Sequence, residues 1–253
     1  MKHLVIPDVQ VRAEDDLTFL RWIGEYIVEK KPDKVICIGD FADMPSLSSY
    51  DKGKRSFEGR RYTKDCAAAI KAMSVLMSPL EEYNLKQRAT KHATYTPELY
   101  LTLGNHENRI NRAVNDDPKL EGMLSTKDLQ YEAFGWNVYP FLDVVLLDGV
   151  AYSHYFVTGV MGRPCSSAAA QLNKKHMSCV AGHQQGLQIA TGTRADGNLI
   201  HSVIAGSCYE HNEDYLGPQG NNHWRGILVL HDVHDGEFEL MPVTLKYLKG
   251  RYD

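Results

Sequence analysis

Three short apolar runs in the first 105 residues, each breaking off at a polar residue, constrain this chain more than any other feature. HLVIP, from His3, ends at Asp8; KVICI, from Lys34, ends at Gly39-Asp40; YLTL, from Tyr100, ends at Gly104-Asn105-His106. An apolar run without polar alternation fits a strand covered on both faces, as in parallel sheets flanked by other layers. Helical spacing fills the intervals. Phe19, Leu20, Trp22, Ile23, Tyr26 and Ile27 share one side of a helix over 16–28, stopped by Lys31-Pro32. Cys66, Ala69, Ile70, Met73, Leu76, Met77 and Leu80 mark a second helix, which Pro79 is expected to bend or end. The order strand, helix, strand, helix, strand predicts parallel β-α-β units.

The second half changes character. Strands are expected at 138–148, 149–154, 177–183, 188–193, 199–205 and 227–233, several joined by Gly-containing turns such as LLDGVA, RADGNL and HDGEF. A second, hairpin-rich sheet packed on the first, with helices outside, gives an α/β fold: a four-layer α-β-β-α sandwich. With 253 residues, 43% of them hydrophobic, the chain suits a single domain over 1–253. The polar, basic stretch at 45–62 reads as a loop excursion after the second strand.

Charge narrows the partners. Lys and Arg total 28 against 32 acidic residues, a formal net charge of −4, so no global field draws the chain to nucleic acid or an anionic membrane. The local stretch Lys52, Lys54, Arg55, Arg60 and Arg61 leaves nucleic acid open as a partner, with a solvated loop the plainer reading. Five cysteines with no CxxC pair argue for reduced thiols, Cys37 and Cys179 serving as small core residues. No segment reaches the about 18 apolar residues of a membrane span, and the N-terminus meets charge too early for a signal peptide. A cytoplasmic location is the expectation, in a bacterium or in the host if a phage encodes the chain. Oligomeric state is left open.

The chemistry lies at the strand ends, where ligands of α/β sheets collect. Asp8 and Gln10 follow the first strand, Asp40 and Asp43 the second, Asn105 and His106 the third; His154 closes AYSH and His183 closes VAGH. Carboxylate oxygen, amide oxygen and imidazole nitrogen together form the ligand set of a divalent-metal site.

VIPDVQ, VICIGDFAD, LTLGNHENR, AYSH and VAGHQQ, in that order, resemble the five blocks of the calcineurin-like metallophosphoesterases: DxH, GDxxD, GNH followed by D or E, H, and GHxH. The downstream GSCYEHNEDYLGPQGNNHWRG resembles a subgroup of such proteins from phages and prophages. The resemblance implies a β-sandwich flanked by helices and a metal-dependent hydrolysis of a phosphate mono- or diester. It implies two divalent metal ions bridged by Asp40. One takes Asp40, Asn105, His154 and His183. The other takes Asp8, Asp40 and two positions where the family has histidine and this chain has Gln10 and Gln185. It places His106 beside the leaving group, with Asn105 and the cations on the phosphoryl oxygens.

Both departures fall on one metal and exchange imidazole nitrogen for amide oxygen. An oxygen-rich site favours Mg²⁺, Mn²⁺ or Ca²⁺ over Zn²⁺, so a mixed pair is expected, Mn²⁺ leading and Mg²⁺, Fe²⁺, Ni²⁺ or Zn²⁺ also fitting. A phosphatase or phosphodiesterase acting on a nucleotide or phosphoprotein, a DNA or RNA nuclease, and a silent metal-binding module are the competing functions. Asp43 is as well suited to capping the next turn as to supporting the site. Arg109 and Arg112 read as a solvated helix face rather than phosphate holders. Glu107 is expected to support the site from behind. His211 and His223 bracket a Gly- and Asn-rich segment that could wall the substrate, and Trp224 reads as an apolar plug.

Overall fold

The structure, a computed structural model, describes residues 1–49, 53–213 and 216–253. Thirteen strands and six helices are described. The strands are β1 (His3–Ile6), β2 (Lys34–Cys37), β3 (Glu98–Thr102), β4 (Asn137–Tyr139), β5 (Val145–Leu147), β6 (Val150–Ser153), β7 (Val157–Thr158), β8 (Arg163–Pro164), β9 (Cys179–Ala181), β10 (Leu187–Thr193), β11 (Leu199–Ala205), β12 (Gly226–His234) and β13 (Glu237–Thr244). The helices are α1 (Thr18–Lys30), α2 (Tyr62–Ala89), α3 (Arg109–Asp116), α4 (Ala168–Lys175), α5 (Gly217–Gly220) and α6 (Leu245–Tyr252).

One sheet has the order β13-β12-β1-β2-β3-β4, with β1 to β4 parallel; the other has the order β10-β11-β9-β6-β5, with β6, β9 and β11 parallel. The apolar runs are buried on both faces because their side chains alternate between two cores. Leu4, Ile6, Val35 and Cys37 pack with α1 and α2 residues, whereas Val5, Ile36 and Ile38 pack with Val150, Tyr152, Val180 and Val203 of the second sheet. A third, smaller cluster includes Ala151, Cys179 and Ala181 of the second sheet. Helix α4 lies against β10 and β11. The fold is an α/β sandwich in the order helices, sheet, sheet, helix. Its hairpins turn as expected: Asp148-Gly149 and Asp235-Gly236 each take two positive φ values, the type that matches strand twist.

Two expectations are corrected. Pro79 does not end α2, which runs through it to Ala89. Proline removes the N–H that Val75 O would accept, and the Ser78 hydroxyl supplies the replacement at 3.0 Å. The expected strand over 138–148 is two strands, β4 and β5, in different sheets. Between them Pro140 accepts the Asp143 N–H at 3.1 Å and Leu142 takes φ 71°, so the chain turns from one sheet to the other. The five cysteines are free and buried, Cys37 and Cys179 within cores. No helix among the described residues is long and apolar enough to cross a membrane.

Candidate metal centre

Parallel strands β1, β2 and β3 deliver their loops to one edge of the sheet, and the loops after β6 and β9 meet them there. Asp40 leaves β2 in a left-handed turn, φ 50°. Its Oδ1 accepts the His106 N–H at 2.8 Å, which ties the loop after β2 to the loop after β3. Glu107 fastens the same two loops from inside. Its Oε2 accepts N–H groups of Asp40 at 3.0 Å and Gly104 at 2.8 Å, and its Oε1 accepts Ala42 N–H at 2.9 Å. Gly104 permits the approach, since a Cβ there would fall on Asp40 Oδ1 and N. Gly182 does the same across the sheets, where a Cβ would strike Asp8 Oδ1.

Four predicted ligands converge. Asn105 Oδ1 lies 2.8 Å from His154 Nε2 and 2.7 Å from His183 Nδ1, and Asp40 Oδ2 lies 3.3 Å from His154 Nε2. Donor atoms of Asp40, His154 and His183 all fall within 4.8 Å of one another. The His154 Nδ1–H donates to Ile38 O at 2.9 Å, which turns Nε2 toward the cluster. A carboxylate oxygen, an amide oxygen and two imidazole nitrogens at this spacing fit a borderline divalent cation.

The charges behave as a centre built for positive charge. Burial lifts the Asp8 carboxyl to about 7, with the His154 charge opposing and that of Asp40 reinforcing. Burial works against ionised Asp40, yet His106 and His154 outweigh it and hold Asp40 below the usual carboxylate range. Burial likewise opposes a charged His154, but Asp40 prevails and raises it to about 9. His183 falls to about 4 through burial and the His154 charge, leaving a neutral imidazole for coordination.

The remaining predicted positions divide. Asp8 sits at the cluster's edge, its carboxylate accepting the His183 N–H at 3.0 and 3.1 Å. Gln185 is nearby in sequence, but its Oε1 accepts the Tyr209 hydroxyl at 2.5 Å. Gln10, buried with φ 49°, lines a cavity beside the centre. Asp43 caps no helix. Its Oδ1 stands 2.7 Å from His106 Nδ1 and its Oδ2 accepts Arg12 Nε–H at 2.7 Å. Burial opposes a protonated His106, but Asp40 and Asp43 raise its pKa.

Arg109 is not part of a solvated face: its guanidinium donates to Asp43 O at 2.6 Å and lies 3.2 Å from His106 Nε2. Arg112 is exposed. His211 stacks on Tyr209 at 4.3 Å, and His223 meets the same ring edge-on and binds Ser207 Oγ at 2.9 Å. Both therefore flank the residue that holds Gln185. Trp224 packs against the inter-sheet core. Of the basic stretch, Lys52 lies outside the described residues.

Sequence reasoning missed Arg12, Glu213 and Tyr209. Arg12 links Asp43 to Glu213, and Glu213 accepts from His211 at 3.0 Å, so a charged chain runs from His106 into the segment after β11. Arg12 stands two residues beyond Gln10, the one signal that could have found it; Glu213 and Tyr209 carry no spacing cue.

These features define an α/β sandwich with a carboxylate, amide and imidazole cluster at its strand ends. No protein-family model matches the chain, and neither does any curated protein. Among solved structures it is similar to a dimetal phosphatase from Danio rerio, at 10% identity and TM-score 0.41 over 97% of this chain and 96% of that one. It is also similar to TT1561 of Thermus thermophilus, at 8% identity and TM-score 0.37 over 95% and 98%.

Proposed function

We propose that this chain is a metal-dependent phosphoesterase that hydrolyses a phosphate mono- or diester, of the calcineurin-like type and akin to its phage and prophage subgroup. The observation that carries the reading is the meeting of Asp40, Asn105, His154 and His183 around one point, with His106 held by Asp43 beside them.

Asp40, Asn105, His154 and His183 would hold one divalent cation, and Asp8, Gln10, Asp40 and Gln185 a second, their oxygen-rich set favouring Mn²⁺ or Mg²⁺. Bound there, the ions would supply Lewis acidity and a water nucleophile at neutral pH. The chain's own residues do the rest. Asn105 offers its amide N–H to a phosphoryl oxygen while its Oδ1 faces the imidazoles. His106, whose pKa Asp40 and Asp43 raise against burial, would give a proton to the departing oxygen from Nε2, the nitrogen that Arg109 faces. Asp43 fixes that imidazole and stabilises its charge, and Arg109 fixes Asp43. Tyr209 orients the Gln185 carbonyl.

The test is hydrolysis of bis-p-nitrophenyl phosphate and p-nitrophenyl phosphate by metal-stripped protein supplied with Mn²⁺, Mg²⁺, Ni²⁺ or Zn²⁺. Turnover requires metal, falls at least about 100-fold in Asp40→Asn, and falls about 10²–10⁴-fold in His106→Gln, the range for losing a positioned acid. A folded, metal-bound protein that turns over neither ester would point to the silent binding module.

A further inference from the structure

A cavity of about 1060 Å³ opens beside His106 and Gln10. A model diester fills a fraction of it, since sites for drug-sized ligands span roughly 300–1,000 Å³. Lys54, Arg60 and Arg61 of the excursion that follows β2 line the cavity, and so does Lys64 in the first turn of α2. The excursion is thus more than a solvated loop.

The cavity also contains carboxylates, and their partners decide its character. Asp43 and Glu213 are bound to Arg12, Asp65 accepts the Ser46 N–H at 2.9 Å, and Asp15 accepts the Arg12 N–H at 2.8 Å, while Glu14 and Glu58, both exposed, line the cavity as well and balance two of its cations. Arg12 and Arg109 are equally committed to this internal network. Arg61 and Lys64 differ. Both are exposed at the start of α2, and Arg61 Nη1 donates to a neutral carbonyl, that of Arg60, at 2.7 Å, which aims the guanidinium without cancelling its charge. An exposed pair of cations on the wall of a cavity that also touches His106 suits an anion attached to the leaving group.

We propose that this cavity holds a second phosphate of the substrate, one carried on the leaving-group side of the scissile ester, and that Arg61 and Lys64 bind it. The inference rests on the phosphoesterase reading for the word substrate, but the binding stands without it. The chemistry is shared by a nucleotide strand and by a small bisphosphorylated nucleotide.

Binding is measured first, in chelator, by fluorescence anisotropy of end-labelled (dT)₂, (dT)₄ and (dT)₈, with thymidine 3′,5′-bisphosphate as competitor. The variant is Arg61→Ala/Lys64→Ala, with Arg112→Ala/Lys119→Ala as an exposed control. The first variant binds about tenfold more weakly and its log K against log salt slope is shallower by about 0.7, the value for one phosphate no longer neutralised on a single strand. The control binds as the unmodified protein does. Effective competition by the bisphosphate assigns a small ligand, and a requirement for length assigns a strand; either supports a second phosphate site. In the metal-loaded protein the variant keeps its kcat/KM for bis-p-nitrophenyl phosphate within twofold while kcat/KM for the preferred multi-phosphate ligand falls about tenfold. Unchanged affinity in the variant, or an equal loss in the control, overturns the proposal. Arg61- and Lys64-dependent binding with no ester hydrolysed under any metal would instead overturn the phosphoesterase reading and leave the anion site in place.

Discussion

Glu107 shows how much of the centre depends on a residue that acts through the backbone it holds rather than on a cation. One carboxylate accepts three N–H groups, from Asp40, Ala42 and Gly104, and is fully buried. Glu107→Gln keeps the shape but turns one oxygen into an N–H₂ group that faces a backbone donor. Losing charged hydrogen bonds and burying an unmatched donor costs about 2–3 kcal/mol. Denaturant unfolding should show that loss, and metal titration should show weaker binding, because the loops that carry Asp40 and Asn105 are no longer fastened together. Unchanged stability would mean that the loops are held elsewhere. Asp40, Asn105, His154 and His183 were legible in the sequence because each follows an apolar strand directly, where backbone direction alone determines convergence. The network behind them was not. Arg12 meets Glu213 across 201 positions of chain, and Tyr209 meets Gln185 from a separate loop, so neither contact leaves a local spacing. Gln185 has also gained a physical context: a carbonyl that accepts a phenol hydroxyl is oriented, and it retains a second lone pair.

At the scale of elements, α1, α2 and the central strands of both sheets followed from periodicity, the short β7, β8, α4 and α6 did not, and two misreadings fell at prolines. Pro79 sits inside α2 because two compensations act together. Ser78 Oγ donates to Val75 O, the acceptor that proline deprives, and Gly24 of α1 lets the two helices close until the proline ring touches it. A propensity rule sees the missing N–H and cannot see either partner. Ser78→Ala should therefore destabilise the protein by about 0.5–1.5 kcal/mol, the range for one net hydrogen bond, without changing metal binding. Thermal unfolding beside Ser74→Ala, an exposed serine on the same helix, checks this; equal effects in the two would remove the special role of Ser78. Pro140 acts the other way, ending β4 at a crossing between sheets that an apolar run of residues conceals.

Across the whole molecule the two ends of the sandwich hold buried histidines whose protons act with opposite sign, His3 at one end and His154 at the other. At the end away from the strand C-termini, buried His3 accepts the Tyr152 hydroxyl through Nδ1 at 2.7 Å and donates Nε2–H to Asp148 at 2.8 Å, with Lys34 also on Asp148. Burial lowers its pKa, so its contribution is present above the unfolded value of about 6.5 and is lost as pH falls below it. At the metal centre His154 is raised to about 9 and Asp8 to about 7. Each binds its proton more tightly folded than unfolded, so stability is lost as pH rises, through about 7 for Asp8 and between about 6.5 and 9 for His154. His3 is already neutral above pH 7, and His106, raised by Asp40 and Asp43 against burial, adds to the loss in that direction. The metal-free protein should therefore lose on the order of 2 kcal/mol, roughly 5 °C in Tm for a chain of this size, between about pH 7 and 9. On the proposed reading a cation would replace the proton at His154 Nε2, and its binding would strengthen as that proton leaves. The stabilisation by Mn²⁺ should consequently grow from about pH 7 to about pH 9, and His154→Gln should flatten both the metal-free decline and the Mn²⁺ gain. A Mn²⁺ shift that is the same at both pH values would separate His154 from the cation. It would leave the imidazole as a buried structural base, and the metal centre would have to be rebuilt on Asp8, Asp40, Asn105 and His183 alone.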